Sequence, residues 1–154
     1  MIIFVGSFPG TETKKLCKTL ALRLGLRHLS KEEFEKNSEK SEELKQKVQA
    51  EEKKGNFITD SAIAGKTLQN PVRIFLNSAK RVRAKQVAES EKITLPAALE
   101  KIEEEEKSTG KKLSAISGSE IFNPEEFDFM LNVDKLSEEA TIALIEKFLE
   151  KIRK

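Results

Sequence analysis

Met1-Ile2-Ile3-Phe4-Val5 opens the chain as an unbroken apolar run of β-formers. A run without polar alternation must be buried on both faces, which predicts a central strand of a parallel sheet. Gly6-Ser7-Phe8-Pro9-Gly10 reads as a turn. From Thr11 to Leu24 apolar residues recur at helical spacing. Leu16, Leu20 and Leu24 are flanked by Cys17 and Ala21, and Gly25 is a natural stop. Strand, glycine turn and helix make the opening of a βαβ unit.

Leu26 to Leu29 predicts a short second strand, and Ser30-Lys31-Glu32-Glu33 is a capping box. The charged stretch after it predicts one or two exposed helices, anchored by Phe34, Leu44 and Val48 and ended by Gly55. Phe57-Ile58-Thr59 predicts a third strand running into Asp60. Ser61 to Leu68 predicts a short helix and Val72 to Leu76 a fourth strand. Ala79 to Glu89 predicts a helix with Val82 and Val87 inward. Thr94 caps a further helix that accepts Pro96 in its first turn and becomes almost wholly polar toward Gly110. Asn123-Pro124 marks a turn or a new helix start, and Phe127 to Val133 predicts a fifth strand. Ser137 caps a final amphipathic helix carrying Ile142, Leu144, Ile145, Phe148, Leu149 and Ile152.

Strands alternating with helices predict an α/β fold: three layers, with a five-stranded parallel sheet between helices and right-handed crossovers. Ligands in such sheets bind beyond the carboxyl ends of the strands. That gathers the Gly6–Lys14 loop, Asp60 and the Asn77–Arg83 segment at one rim.

Composition narrows the function classes. The 154 residues suit one domain with one sizeable core. Charged residues reach 35%, against about 25% in an ordinary domain, yet the formal net charge is only +2. No strong field therefore selects nucleic acid or an anionic membrane. Dense Lys and Glu is also a thermophile pattern. Cys17 is the only cysteine, which excludes an internal disulfide, and its default reading is a buried thiol. His28 is the only histidine, which excludes a His-based metal cluster, and no metal-ligating set is expected. The apolar start is too short for a signal core or a membrane span, so a soluble, cytoplasmic protein is expected. The acidic run Glu103 to Glu106 reads as a solvated helix face.

A phosphate-binding loop combines glycines that let backbone N–H groups curl around phosphate, a helix N-terminus, a Lys for the outer phosphates and a hydroxyl for magnesium. The strand–turn–helix context here is right. The loop itself reads Ser7-Phe8-Pro9-Gly10-Thr11-Glu12-Thr13-Lys14. This loop and its context resemble the cytidylate kinases, P-loop nucleoside-monophosphate kinases whose loop has the form Gly-Pro-Pro-Gly-Ser-Gly-Lys-Thr. Aligned on Pro9 and Gly10, the chain has Glu12 at the last loop glycine, Thr13 at the lysine and Lys14 at the magnesium hydroxyl. Glu12 adds a negative charge beside the expected phosphates, and repulsion at about 5 Å is worth about 1–3 kcal/mol at intermediate dielectric. Lys14 sits one residue on, about 100° around the helix.

The resemblance spans nearly the whole chain and is strongest to archaeal-type members with a short lid. It implies a monophosphate-side helical insertion at 31–54 and a lid-type region at 95–118. Asp60 matches an acidic substrate-binding position, and Ala62 stands where a substrate-phosphate arginine is expected. Arg83 matches one arginine of the helix after the fourth strand, while Gln86 and Ser90 replace two others. Glu105 and Lys112 occupy positions that normally supply arginines to the transferred phosphoryl group.

The resemblance thus implies Pro9, Gly10, Thr11 and Thr13 as the ATP-phosphate loop, with Lys14, Arg83 and Lys112 as the cations left for catalysis. ATP and Mg²⁺ are the implied cofactors if the chain is active, and CMP or dCMP the implied substrate. Bland alternatives stand beside these: Thr11 and Thr13 as helix caps, Arg83 as a solvated charge, Asp60 as a capping carboxylate. Three functions remain open. They are a relative impaired in catalysis that senses nucleotides or binds a partner, an active divergent cytidylate kinase, and a structural interaction protein, for instance a homodimer, without a nucleotide site.

Overall fold

The apolar opening run takes the middle of the sheet. In the computed structural model, which describes residues 1–36, 41–117 and 123–152, β1 (Ile2–Ser7) lies between β3 (Phe57–Thr59) and β4 (Val72–Asn77). The flanks are β2 (Arg27–Leu29) and β5 (Phe129–Asn132). All pairings are parallel, and the order is β2-β3-β1-β4-β5. Ile3, Phe4 and Val5 are fully enclosed, as a strand buried on both faces requires.

Alternate residues of β1 face two separate cores. Ile3 and Val5 pack with Leu16, Cys17 and Leu20 of α1 (Thr13–Leu24) and with Ile142, Ile145 and Leu149 of α7 (Glu138–Ile152). On the opposite face, Phe57 packs with Phe34 of α2 (Lys31–Glu35) and with Leu44 and Val48 of α3 (Ser41–Lys54). Ile63 and Leu68 of the α4 (Ala62–Thr67) region and Leu113 of α6 (Leu95–Ser117) complete this second core. A small third cluster joins Ala84 of α5 (Lys80–Glu91) to Ala98 and Ile102 of α6. The result is the three-layer α/β/α arrangement around a five-stranded parallel sheet.

Several boundaries differ from the sequence expectation. α1 begins at Thr13, and its N-cap is Glu12, which makes no side-chain cap bond. Neither Thr11 nor Thr13 therefore acts as that cap. α6 does not fade toward Gly110. It runs 23 residues to Ser117, with Gly110 buried inside it. The last strand is shorter than Phe127–Val133: it spans Phe129–Asn132, and Phe127 is the extended C-cap of a 3₁₀ turn at Pro124–Glu126. In α7, Leu144 and Ile152 are 42% and 43% exposed, since the helix buries only the stripe through Ile142, Ile145 and Leu149. Within the expected insertion at 31–54 and lid at 95–118, positions 37–40 and 118 lie outside the described residues. Cys17 is buried as expected, and burial, with a smaller push from the Asp60 charge, raises its thiol well above the ordinary value.

Two contacts position the rim. Gly65, inside α4, lies against the Phe4 ring, where a Cβ would stand 2.4 Å from Cε2. α5 has Ala79 as N-cap and so no side-chain cap of its own. Asp134, just past β5, supplies one. Its carboxylate accepts from Ala79 N at 3.0 Å and from the Ser78 hydroxyl at 2.5 Å. These bonds, with the Ser78 hydroxyl as the largest cause, hold the Asp134 carboxyl below its ordinary value.

Two outcomes follow. Gly65→Ala forces an enclosed aromatic ring to move and is expected to destabilise by about 1–3 kcal/mol, measured by urea unfolding. Asp134 stabilises the fold in its charged form, because its folded pKa lies below its unfolded one. The deficit of Asp134→Asn should therefore be full above the ordinary carboxylate pKa of about 3.9 and shrink as pH falls through the lower folded value. A deficit that grows on acidification contradicts this assignment.

Candidate functional site

At the carboxyl ends of β1 and β3 the chain leaves a cleft of about 630 Å³. The loop Ser7–Lys14 forms its floor, α2 and Asp60 one wall, and α6 the other. The structure thus brings Pro9, Gly10, Thr11, Thr13, Lys14 and Asp60 to one place. Gly10 makes the turn possible. Its φ is 95°, a region that favours glycine, and a Cβ there would meet Arg83 Cβ at 2.9 Å.

The loop is partly closed upon itself. Thr13 N donates to Thr11 O at 2.8 Å, and Thr11 N reaches Phe8 O at 3.4 Å. These are amides that a phosphate cradle would turn outward. The Thr13 hydroxyl is likewise directed inward, accepting from Ser7 Oγ at 3.4 Å and donating to Thr11 O at 3.5 Å. The Thr11 hydroxyl oxygen is buried without a hydrogen-bond partner.

Each candidate cation is paired with a carboxylate. Lys14 Nζ lies 3.4 Å from Glu32, both side chains being 62% exposed, so this pair is worth about 0–1 kcal/mol. The Glu32 carboxyl lies below its ordinary value. Its own backbone N–H at the start of α2 is the largest cause, and Lys14 and Ser30 add to it. Lys112 Nζ lies 3.4 Å from Glu35, also on α2. Arg83 is different, for its residue is only 5% exposed. Its Nε donates to Ser78 O at 3.1 Å, and its Nη1 donates to Pro9 O at 2.8 Å and to Glu106 Oε1 at 3.1 Å. Arg83 therefore braces the loop from beneath and is no solvated helix charge.

Asp60 accepts from Lys31 N at 2.9 Å, so it caps α2 beside Ser30, whose hydroxyl accepts from Glu33 N at 3.3 Å. Phe8 is also fixed. Its ring meets Phe75 edge-on at 5.4 Å between centroids, and the Arg83 guanidinium lies 5.2 Å above it. Phe75 in turn meets Phe127 at 5.0 Å, and Phe127 lies 6.1 Å from Phe4 of the central strand. An aromatic chain thus connects the loop tip to the core.

Sequence reasoning missed Glu106. The run Glu103–Glu106 was expected to be a solvated face, and Glu103, Glu104 and Glu105 are exposed. Glu106 instead turns under α6 to the buried Arg83. Its only signal is spacing: Ile102 and Glu106 are one helical turn apart on the buried face, and Ile102 is 1% exposed.

The lining carries six carboxylates (Glu12, Glu32, Glu35, Asp60, Glu105 and Glu106) and two lysines, Lys14 and Lys31. Among the described residues, no three His, Cys, Asp or Glu side chains approach closely enough to hold a metal ion. Self-bonded amides, an inward Thr13 and an acidic wall do not fit a magnesium–triphosphate. No helix among the described residues is long and apolar enough to cross a membrane.

Comparison with known proteins gives a consistent picture. The profile of the cytidylate kinase-like family matches residues 60–135. The cytidylate kinase of Pyrococcus horikoshii is 28% identical over 170 residues, covering 97% of this chain and 88% of the relative. Among solved structures, a protein of Eubacterium ventriosum superposes with a TM-score of 0.83 at 18% identity, covering 98% of each chain. Shikimate kinase from Bacteroides thetaiotaomicron reaches 0.62 at 15% identity, covering 97% of this chain and 98% of that one. Those two likenesses carry the fold alone. In sequence the chain is similar to the cytidylate kinase-like family over residues 60–135 and to an archaeal cytidylate kinase along nearly its whole length.

Proposed function

We propose that this chain is impaired in ATP-dependent phosphorylation of CMP and serves as a nucleotide-sensing or partner-binding module built on the kinase scaffold. One observation carries the reading: Lys14, Arg83 and Lys112 are each paired with a carboxylate, Glu32, Glu106 and Glu35 respectively, and Arg83 is buried beneath the loop. Phosphoryl transfer depends on positioning and on stabilising charge in the transition state. Losing one such contact costs about 10²–10³ in kcat. With Thr13 at the lysine position and Ala62 at an arginine position, two contacts are absent by residue type alone. The six carboxylates around the cleft add repulsion toward any polyphosphate.

Lys14 does line the cleft, and this supports the second reading, an active but divergent nucleoside-monophosphate kinase using ATP and Mg²⁺. The two readings separate in one assay. ADP release with Mg-ATP and CMP or dCMP is expected at background, whereas family-like turnover of about 1–100 s⁻¹ would overturn the first reading. If turnover appears, Lys14→Ala should abolish it. A thermal-shift panel of cytidine and adenosine mono-, di- and triphosphates tests the sensing half. A ligand at 100 times its Kd adds about 2.7 kcal/mol of stability, and a silent panel leaves partner binding as the function.

A further inference from the structure

The cleft does not end at the loop. A second cavity of about 320 Å³ opens between α5 and α6, and a third of about 470 Å³ between α5 and the start of α7. The cleft and the second cavity share Gly10, Thr11, Glu12 and Glu105, while the second and third share Thr11, Glu12, Gln86 and Ser90. One continuous depression therefore crosses the loop, with Glu12 at its middle. The two further cavities add Glu89, Glu91 and Glu138 to the carboxylates of the cleft, and only Lys101 to its lysines. Lys101 is paired with Glu91, and Glu138 with Lys15. Glu12, Asp60, Glu89 and Glu105 form no ion pair among the described residues, and of the lysines along the depression only Lys31 is likewise unpaired. Between these charges the lining is apolar, with Phe8, Ile63 and Leu113 in the cleft and Leu16, Leu76 and Val133 in the third cavity. The chain as a whole carries +2, so the acidic band is a local feature and not its average surface.

Dispersed carboxylates over apolar floors set the chemistry of an occupant. A polyphosphate is repelled, and among the described residues no three acidic groups approach closely enough to hold a metal ion. Lysine and arginine side chains fit both features. Their stems are apolar and only the head carries charge, and a guanidinium meets a carboxylate with two parallel hydrogen bonds. Three cavities in series call for several such cations spaced along one backbone. The geometry points to this depression as a docking groove for a Lys/Arg-rich segment of another protein, laid across the loop over Glu12 from Asp60 to Glu89. This names the partner in the partner-binding half of the function proposed above, and it rests on that reading. Charge complementarity across the groove steers the encounter and makes it sensitive to salt.

The test uses the full chain and a capped octapeptide of alternating arginine and alanine, read by calorimetry and by amide hydrogen exchange. Spermine serves as a free small cation of comparable charge. The peptide is expected to bind about tenfold tighter than spermine, through its forked guanidinium contacts. Combining Glu12→Gln, Glu89→Gln and Glu105→Gln should weaken the peptide roughly tenfold. Combining Glu43→Gln, Glu125→Gln and Glu150→Gln removes as much charge from exposed positions outside the depression and should leave the affinity unchanged. In the unaltered protein the peptide should slow exchange on both sides of Glu12, in residues 8–14 and 86–90. No peptide binding, equal losses in both triple variants, or spermine binding as tightly as the peptide would overturn the groove. So would protection confined to one side of the loop, a result that needs no variant to fold. Turnover of CMP by the unaltered protein sinks the reading on which the groove rests, whereas absent peptide binding without turnover sinks the groove alone.

Discussion

A positive charge enclosed beneath a loop has to be answered, and the architecture around the cleft is the answer to Arg83. Its guanidinium draws the Pro9 carbonyl down, the Ser78 carbonyl in from the end of β4 and the Glu106 carboxylate across from α6. Three segments distant in sequence are thereby fixed to one side chain. Removing either partner of such a pair is far costlier than losing a surface ion pair, because it strands the other charge in a poorly solvated place. The pairs of Lys14 and Lys112 belong to the weaker class, being largely exposed on at least one side. One electrostatic contact in this region thus organises structure, while the others mainly adjust potential.

The same brace explains the shape of the loop. A phosphate cradle keeps its carbonyls away from the ligand and its amides toward it. Here Arg83 holds the Pro9 carbonyl beneath the loop, away from the cleft, while Thr11 and Thr13 turn amides back onto loop carbonyls. Part of the donor set that a phosphate would need is thus used within the loop. Phe8 strengthens this by lying between Phe75 and the Arg83 guanidinium, which fastens the loop tip to the aromatic chain reaching Phe4.

The fold was legible where burial dictates pattern. β1 has no polar residue from Ile2 to Val5, and a strand like that belongs in the middle of a parallel sheet. α1 and α7 showed their apolar stripes, although Leu144 and Ile152 turned out exposed because the buried stripe is narrower than the apolar content. Ends were less legible. α6 continues through Gly110, which is buried, despite a propensity cost of about 1 kcal/mol. Phe127 lies before the strand as the C-cap of the 3₁₀ turn, with its ring between Phe4 and Phe75. The site was legible only as a list of residues. Which carboxylate meets which cation depends on crossovers that bring α2, α5 and α6 to one rim, and Glu106 looks like its exposed neighbours until the helix is rotated into place.

Scaffold and site are energetically separable here, which is how one can change without the other. The core under β1, built from Ile3, Val5, Leu16, Leu20, Ile145 and Leu149, contains none of the ionic side chains of the cleft. Burying a residue of this kind contributes about 1.5–3 kcal/mol, whereas an exposed lysine pair contributes about 0–1 kcal/mol. Exposed charges at the rim, such as Lys14 and Glu32, can therefore change while leaving this core intact. Arg83 is the exception, since its charge is buried and its partners belong to the loop, β4 and α6. The contacts of Arg83 with Pro9, Ser78 and Glu106 are internal to the fold, whatever ligand the cleft receives. An arginine that a family resemblance marks for catalysis can thus have a structural role, and the direction of its donors distinguishes the two: here they point to Ser78, Pro9 and Glu106 inside the protein.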